Sequence, residues 1–215
     1  RLHHVSSAYV CGLRTGTVLE SELDDGQTSG NDYERSKIIS EGEARAAEFL
    51  DVVTVHRPSI IVGDLVHGFT NTFHGFYRPL RIVMPFVEAF VDATLPRGSL
   101  LTVMGMDGHE AKNLVPVDWV STVMTRIILD ESLHGRTYHL TSESPTTVGT
   151  LCRVFEELVS ELVAERRRQR ATEEAAGEPR PAAANADPEA LGQMFLNQMD
   201  VYRAWVDRMN THLGE

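Results

Sequence analysis

Strand, long helix, strand is the order in which the opening of this chain sets out its apolar residues, and that order is the rhythm of a parallel α/β sheet. His3 to Val10 (HHVSSAYV) is short and rich in β-formers, as a buried strand would be. Leu13 to Gly30 is polar, acidic and glycine-bearing, and reads as a loop. Asn31 is placed to cap a helix, with Glu34 three residues on completing a capping box. The helix is expected to run through Leu50, tolerating Gly42 at some cost. Val52 to His56 and Ser59 to Val62 are β-branched runs interrupted by Pro58, which withholds one ladder donor.

Further along, Asp64 to Gly75 reads as a loop, and Phe76 to Ala93 as an apolar helix kinked by Pro79 and Pro85. Short strands are expected at Leu100 to Met104, Leu114 to Val117 and Thr137 to Leu140. Helices are expected at Asp118 to Leu129 and from Thr146 to about Arg168. From Arg166 the composition turns to Ala, Glu and Pro with few aromatics, the mark of a solvated linker. Leu191, Phe195, Tyr202, Trp205 and Met209 fall close to one helical face, so a docking helix is expected last.

Composition excludes several classes of function. The chain has 215 residues, 42% hydrophobic and 24% charged, as in ordinary globular proteins. Its net charge of -11 disfavours tracking of nucleic-acid phosphates and docking on anionic lipid. Two cysteines, Cys11 and Cys152, make no disulfide framework, which points to a reducing cytoplasm. No apolar run reaches the roughly 20 residues of a membrane span. The chain opens on Arg1 and enters a strand almost at once, as expected of a fold joined partway.

The chemistry gathers on few residues. Tyr33 and Lys37 are one helical turn apart at the start of a predicted helix, so their side chains share a face. A tyrosine titrates near pH 10 when free, and a neighbouring ammonium favours its phenolate, matching it better to neutral pH. Ser7, near the end of the preceding strand, supplies a hydroxyl able to hold a carbonyl oxygen. The three suit carbonyl reduction, with a phenolic proton reaching oxygen and a hydride reaching carbon. The hydride requires a cofactor, since no side chain carries one. Lys37 and Lys112 are the only lysines in an arginine-rich chain, which makes a lysine within a motif less accidental. The bland alternative is an ordinary surface pair on a helix.

VSSAYVCG, then YERSK, then VTVHRPSIIVG, in this order, resembles the extended short-chain dehydrogenase/reductase family, over roughly Leu2 to Leu162. The resemblance implies that Ser7 is the catalytic hydroxyl and Tyr33 the acid/base. Tyr33 and Lys37 would both contact the cofactor, Lys37 binding the nicotinamide ribose and tuning the tyrosine, and Pro58, Ser59 and Ile61 would form the turn against the nicotinamide. NLVPVDWV, with Asp118, matches a segment near the substrate side. RPSIIVGD followed by GFTNTFHGFYRPL is similar to the thioester reductase and fatty acyl reductase ("male sterility") branch. That branch implies reduction of an acyl thioester, on a carrier protein or coenzyme A, to an aldehyde and sometimes an alcohol. The cofactor would be NADPH or NADH, with NADPH favoured. The implied fold class is α/β, the C-terminal part of a doubly wound Rossmann-like parallel sheet with a small mixed substrate-side region. The implied organisation is a catalytic part over 1–66, a substrate-side region over 67–165, a linker over 166–188 and a final helix over 189–215.

One part of the pattern is missing. The family's glycine-rich turn sets the pyrophosphate on a helix N-terminus. Gly12 and Gly16 lie instead in a loop, and Gly63 and Gly68 come too late with the wrong spacing. The expectation is weak dinucleotide binding by this chain without a preceding segment. Sugar-nucleotide epimerisation or dehydration is the alternative reaction within the family, although those enzymes usually carry tyrosine where this chain has Cys11. A non-catalytic interaction piece is the alternative outside it. No histidine pair has metal-ligand spacing with a carboxylate partner, so no metal is expected. His67 and His74 are read as loop residues with a minor option of substrate contact, and Cys11 as a packing residue.

Overall fold

The computed structural model describes residues 1–71 and 106–177, together with Tyr77 and Leu101. The described residues fall into two compact units: Arg1–Asn71 with Asn113–Pro145, and 106–112 with 146–177. The expected helix at Phe76 to Ala93 and the final docking helix lie outside the described residues. So does nearly all of the expected strand at Leu100 to Met104, although Leu101 itself is helical.

The first unit is built on parallel strands, as expected. β1 (Leu2–Val5), β2 (Val53–Pro58) and β6 (Thr137–Leu140) form one sheet in the order β1-β2-β6, all parallel. β3 (Ile60–Val62) and β5 (Leu114–Pro116) pair in parallel beside it in sequence. Parallel neighbours need long crossovers: α1 (Asp32–Ala46) lies between β1 and β2, and α2 (Val117–Leu129) lies on the way from β2 to β6, between β5 and β6. Helices cover both faces. Arg57 of β2 and Thr137 of β6 bond side chains of α1. On the opposite face Leu140 joins Val115, Val120 and Ile127 in a buried cluster, with Ile61, Val123, Met124, Leu133 and Tyr138 packed around it. Each such aliphatic side chain stabilises the fold by about 1.5–3 kcal/mol.

Three local differences from expectation have clear causes. β1 stops at Val5, because Ser7 turns away as the cap of a 3-10 helix over Ala8–Cys11. α1 ends at Ala46 rather than Leu50, beyond which the chain turns to bring in β2. The helix that follows Thr147, α3 (Val148–Ala175), runs through the start of the expected linker. Ion pairs Arg168–Glu165 and Arg166–Glu173 lie along that stretch and favour continued helix.

α3 belongs to the second unit. Its first turn is held by the Thr147 hydroxyl, which accepts from Thr150 N. The short antiparallel pair β4 (Ala111–Lys112) and β7 (Thr146–Thr147) leads into it. Gly108, at φ +87°, approaches the Gly149 backbone so closely that a Cβ would meet Gly149 Cα at 3.2 Å. Glycine is required at such a contact.

One polar cluster on the first sheet makes stability depend on pH. His56 is fully buried, its ring stacked between His3 of β1 and Tyr138 of β6, with His134 edge-on to His3 beyond. Burial first, and repulsion from His3 second, hold the His56 imidazolium pKa below its ordinary value. Burial and the His134 charge do the same to His3. The unfolded chain therefore binds protons that the folded chain refuses as pH falls through about 6.5. Stability present above that pH is lost on acidification. Thermal melts are expected to shift downward between about pH 7.5 and 5.5, and His56→Phe is expected to flatten the dependence. An unchanged slope in that variant would remove His56 from the explanation.

Candidate active site

The C-terminal ends of β1, β2 and β6 carry the residues singled out by chemistry, the usual location for ligands on a parallel sheet. Just past β1, Ser7 is buried and its Oγ accepts the Tyr9 N–H at 3.2 Å. A hydroxyl that accepts there keeps its own proton for an outside acceptor.

Tyr33 and Lys37 stand on the first turns of α1, and the cap that begins this helix fixes where they sit. Asn31 Oδ1 accepts Glu34 N at 2.9 Å. Glu34 reaches back to Gly30 N at 2.5 Å and to Asn31 Nδ2 at 3.0 Å, one residue beyond the usual capping-box partner. Tyr33 is 55% exposed, so its hydroxyl is open to a substrate. Lys37 Nζ lies 5.7 Å from the Tyr33 ring centroid and donates to Val5 O at 3.3 Å. The ammonium thus bridges the acid/base candidate and the end of β1. Cation and ring attract one another at this range.

Pro58 closes β2, opposite Leu140 of β6. Ser59 lies in the turn to β3, its N–H donating to Leu140 O at 3.1 Å. Ile61 sits in β3, paired with Val115, and packs on the apolar cluster under the turn. Pro58 thus ends β2, Ser59 is the one residue between it and β3, and Ile61 lies within β3.

Beyond β3 the Asp64 carboxylate accepts backbone N–H groups of Val66, His67 and Phe69, and these bonds, that from His67 foremost, lower its pKa. Asp118, in the first turn of α2, accepts Leu65 N at 3.1 Å and ties the same loop down. His67 is exposed and leans on Asp64 at 3.3 Å; His74 lies outside the described residues. Cys11 is half-buried, and burial first, then the Glu34 charge, push its thiol pKa up. A protonated thiol is a poor nucleophile, which agrees with a packing role.

Sequence reasoning passed over three features of this region. Tyr9, beside Ser7 in the turn, is held protonated by burial and by the charges of Glu34, Cys11 and Tyr33. Its position two residues past Ser7 was the available signal. The second is a fully buried ion pair between Glu41 of α1 and Arg57 of β2. Burial opposes charge on Glu41, but the Arg57 hydrogen bonds, the Ser6 hydroxyl at longer range and Arg45 outweigh it and hold the carboxyl below its usual pKa. The third is Asn113, which bonds Ser59 and Ser142. Among the described residues no group of His, Cys, Asp and Glu is arranged to hold a metal ion, and no helix is long and apolar enough to cross a membrane.

A family model described as male sterility protein, an NAD-binding family, matches residues 1–124. The solved terminal R domain from the myxalamid PKS-NRPS biosynthetic pathway is similar, with 25% identity and a TM-score of 0.52 over 67% of this chain and 34% of that one. RMD from Pseudomonas aeruginosa, complexed with NADPH, shares 17% identity at a TM-score of 0.46, over 74% of this chain and 50% of that one. DesIV, a dTDP-glucose 4,6-dehydratase from Streptomyces venezuelae with NAD bound, shares 24% at 0.42, over 75% and 42%. The chain thus spans between 34% and 50% of the lengths of these structures. No curated protein sequence matches it.

Proposed function

Because the chain belongs to the male sterility protein family, within the extended short-chain dehydrogenases/reductases, we propose that it reduces an acyl thioester to an aldehyde with a nicotinamide cofactor. The observation that carries this reading is the Lys37 ammonium set between the Tyr33 ring and the carbonyl that ends β1, two residues before the buried Ser7. Likeness to a terminal R domain of a PKS-NRPS pathway favours a thioester on a carrier protein or coenzyme A as substrate. Family resemblance favours NADPH over NADH.

The residues present fit the nicotinamide and ribose end of such a cofactor. Lys37 spends one donor on Val5 O and keeps the others for ribose hydroxyls. The Pro58–Ser59 turn, with Ile61 beneath it, offers a fixed wall for the nicotinamide ring. When bound, the cofactor supplies the hydride that no side chain can. Ser7 O–H would hold the thioester carbonyl oxygen, and Tyr33 would give that oxygen its proton. The hemithioacetal so formed loses the thiol, and the aldehyde remains.

Acyl-coenzyme A and nucleotide sugars, each offered to the protein with NADPH and with NADH, separate the readings. Aldehyde and free thiol in equal amounts are expected from the acyl thioester. Turnover of the nucleotide sugar alone would move the reaction to epimerisation or dehydration, and no cofactor binding under any condition would leave an interaction piece.

A further inference from the structure

The turn that begins at Ser7 carries a second phenol. Ser7 caps the 3-10 helix over Ala8–Cys11, and Tyr9 is tied into it at both ends of its backbone. Its N–H donates to Ser7 Oγ at 3.2 Å, and its carbonyl accepts Gly12 N at 3.1 Å. Val10 is buried, whereas Tyr9 is 36% exposed and forms the outward side of the turn. The 3-10 helix packs against α1, the helix that bears Tyr33. Tyr9 is therefore fixed beside Ser7 by the same backbone that fixes Ser7.

Its hydroxyl is uncommitted. A tyrosine whose ring is largely covered ordinarily finds a partner for its O–H, and Tyr138 does so, donating to Leu133 O at 2.7 Å. Among the described residues nothing bonds the Tyr9 hydroxyl. Burial first, then the charges of Glu34, Cys11 and Tyr33, raise its pKa, so it keeps its proton at neutral pH. Glu34 follows Tyr33 on α1, and its carboxylate is held by Gly30 N and Asn31 Nδ2. The free donor thus lies within electrostatic reach of the Tyr33 phenol, over the start of α1.

Thioester reduction places demands on two heteroatoms. Ser7 and Tyr33 are assigned to the carbonyl oxygen. When the hemithioacetal breaks its C–S bond, its hydroxyl proton goes to the Tyr33 phenolate, the C=O bond forms, and the electron pair leaves on sulfur. Lys37 spends one donor on Val5 O and keeps the others for ribose, so sulfur still needs a donor. We propose that Tyr9 is a further catalytic residue, whose hydroxyl donates a hydrogen bond to the departing thiolate. This rests on the thioester reading of the same site. An alkyl thiol titrates like a cysteine, near about 8.5, and a phenol near about 10. The proton therefore stays on Tyr9, and sulfur takes one from water after it leaves.

The test compares two thioesters of one acyl group: the coenzyme A ester, and the S-phenyl ester, whose thiophenolate is a weaker base and departs without help. Single turnovers with NADPH are followed twice, by loss of NADPH absorbance for hydride transfer and by a thiol reagent for release of sulfur. Tyr9→Phe keeps the ring and the backbone bonds of the turn. It is expected to slow thiol release from the coenzyme A ester by about 10- to 100-fold, the scale of one hydrogen bond to a charged group. Release from the phenyl ester should change by less than about twofold, and NADPH oxidation should be unaltered with both. A merely structural loss would slow the two esters alike. Equal or greater slowing with the phenyl ester, or no slowing with either, overturns the assignment. A parent protein that turns over neither thioester overturns the thioester reading itself and the assignment with it.

Discussion

Tyr33→Phe is expected to lower the rate of aldehyde formation by about two to four orders of magnitude, the usual contribution of a general acid. The stability of the fold should change by less than about 0.5 kcal/mol, because the side chain altered is exposed. Lys37 keeps its hydrogen bond to Val5 O in this variant and its place on the ring face. Single-turnover measurement with acyl-coenzyme A and NADPH reads the chemical step directly. Aldehyde formed at an unaltered rate would remove Tyr33 from the acid/base role. Ser7 would then be left holding a carbonyl whose proton comes from elsewhere, and Tyr9, kept protonated by burial and by neighbouring negative charge, would be the phenol to change next.

The other large effect concerns stability. Glu41 and Arg57 are both fully buried, and their pairing is double: Arg57 Nη2 meets Glu41 Oε1 at 2.7 Å and Nε meets Oε2 at 3.0 Å. Arg57 also donates to Glu22 O at 2.7 Å, and its Nη1 lies 3.2 Å from His139 Nε2. Arg45 joins Glu41 at 2.6 Å and Thr137 at 2.7 Å. Removing one member leaves a buried charge without its partner, which costs about 3–5 kcal/mol. Arg57→Met and Glu41→Leu are each expected to lower the unfolding free energy, read from urea titration, by that amount. The double variant should recover much of it, since apolar packing at a buried pair is often neutral or better. Single variants that lose less than about 1 kcal/mol, the value of an exposed pair, would show that water reaches the site. The pair matters for chemistry through place: Glu41 lies two turns along α1 from Tyr33, and Arg57 precedes Pro58.

That pair also shows where the sequence stopped being legible. β2 was visible as a β-branched run, and its register with β6 follows from burial on both faces. Yet VTVHRP offers no sign that its arginine turns inward, because the reason sits on another element: Glu41, on α1, covers that face of the strand. Asn113 is hidden in the same way, since its partners Ser59 and Ser142 are brought to it by three separate connections. The cap at Asn31, by contrast, is local, and so was readable, although Glu34 reaches the Gly30 N–H rather than the Asn31 backbone N–H. Tyr33 and Lys37 were readable because helical spacing alone puts them on one face. Ser7 was assigned to the end of a strand, and the structure moves it just beyond, where its hydroxyl caps the turn that ends the strand. α3 outlasts its expected end for an electrostatic reason that composition obscures: the residues that look like linker also pair along a helix.

The loop between Ser7 and α1 closes on itself, with Leu13 N on Thr28 O at 2.9 Å, and Gln27 holding Val10 O and Leu23 O from inside. Gly12, at φ +58°, makes the closure possible, since a Cβ there would strike Thr28 O. A loop with such a neck behaves as an interchangeable cassette. Changes of length in its interior are expected to leave Ser7 and Tyr33 in place, since the neck and not the interior joins the two. Two conditions limit the exchange: any transplanted loop must still bring a carbonyl to Arg57, where Glu22 now supplies it, and an acceptor to His139 N, where Glu20 Oε1 now stands.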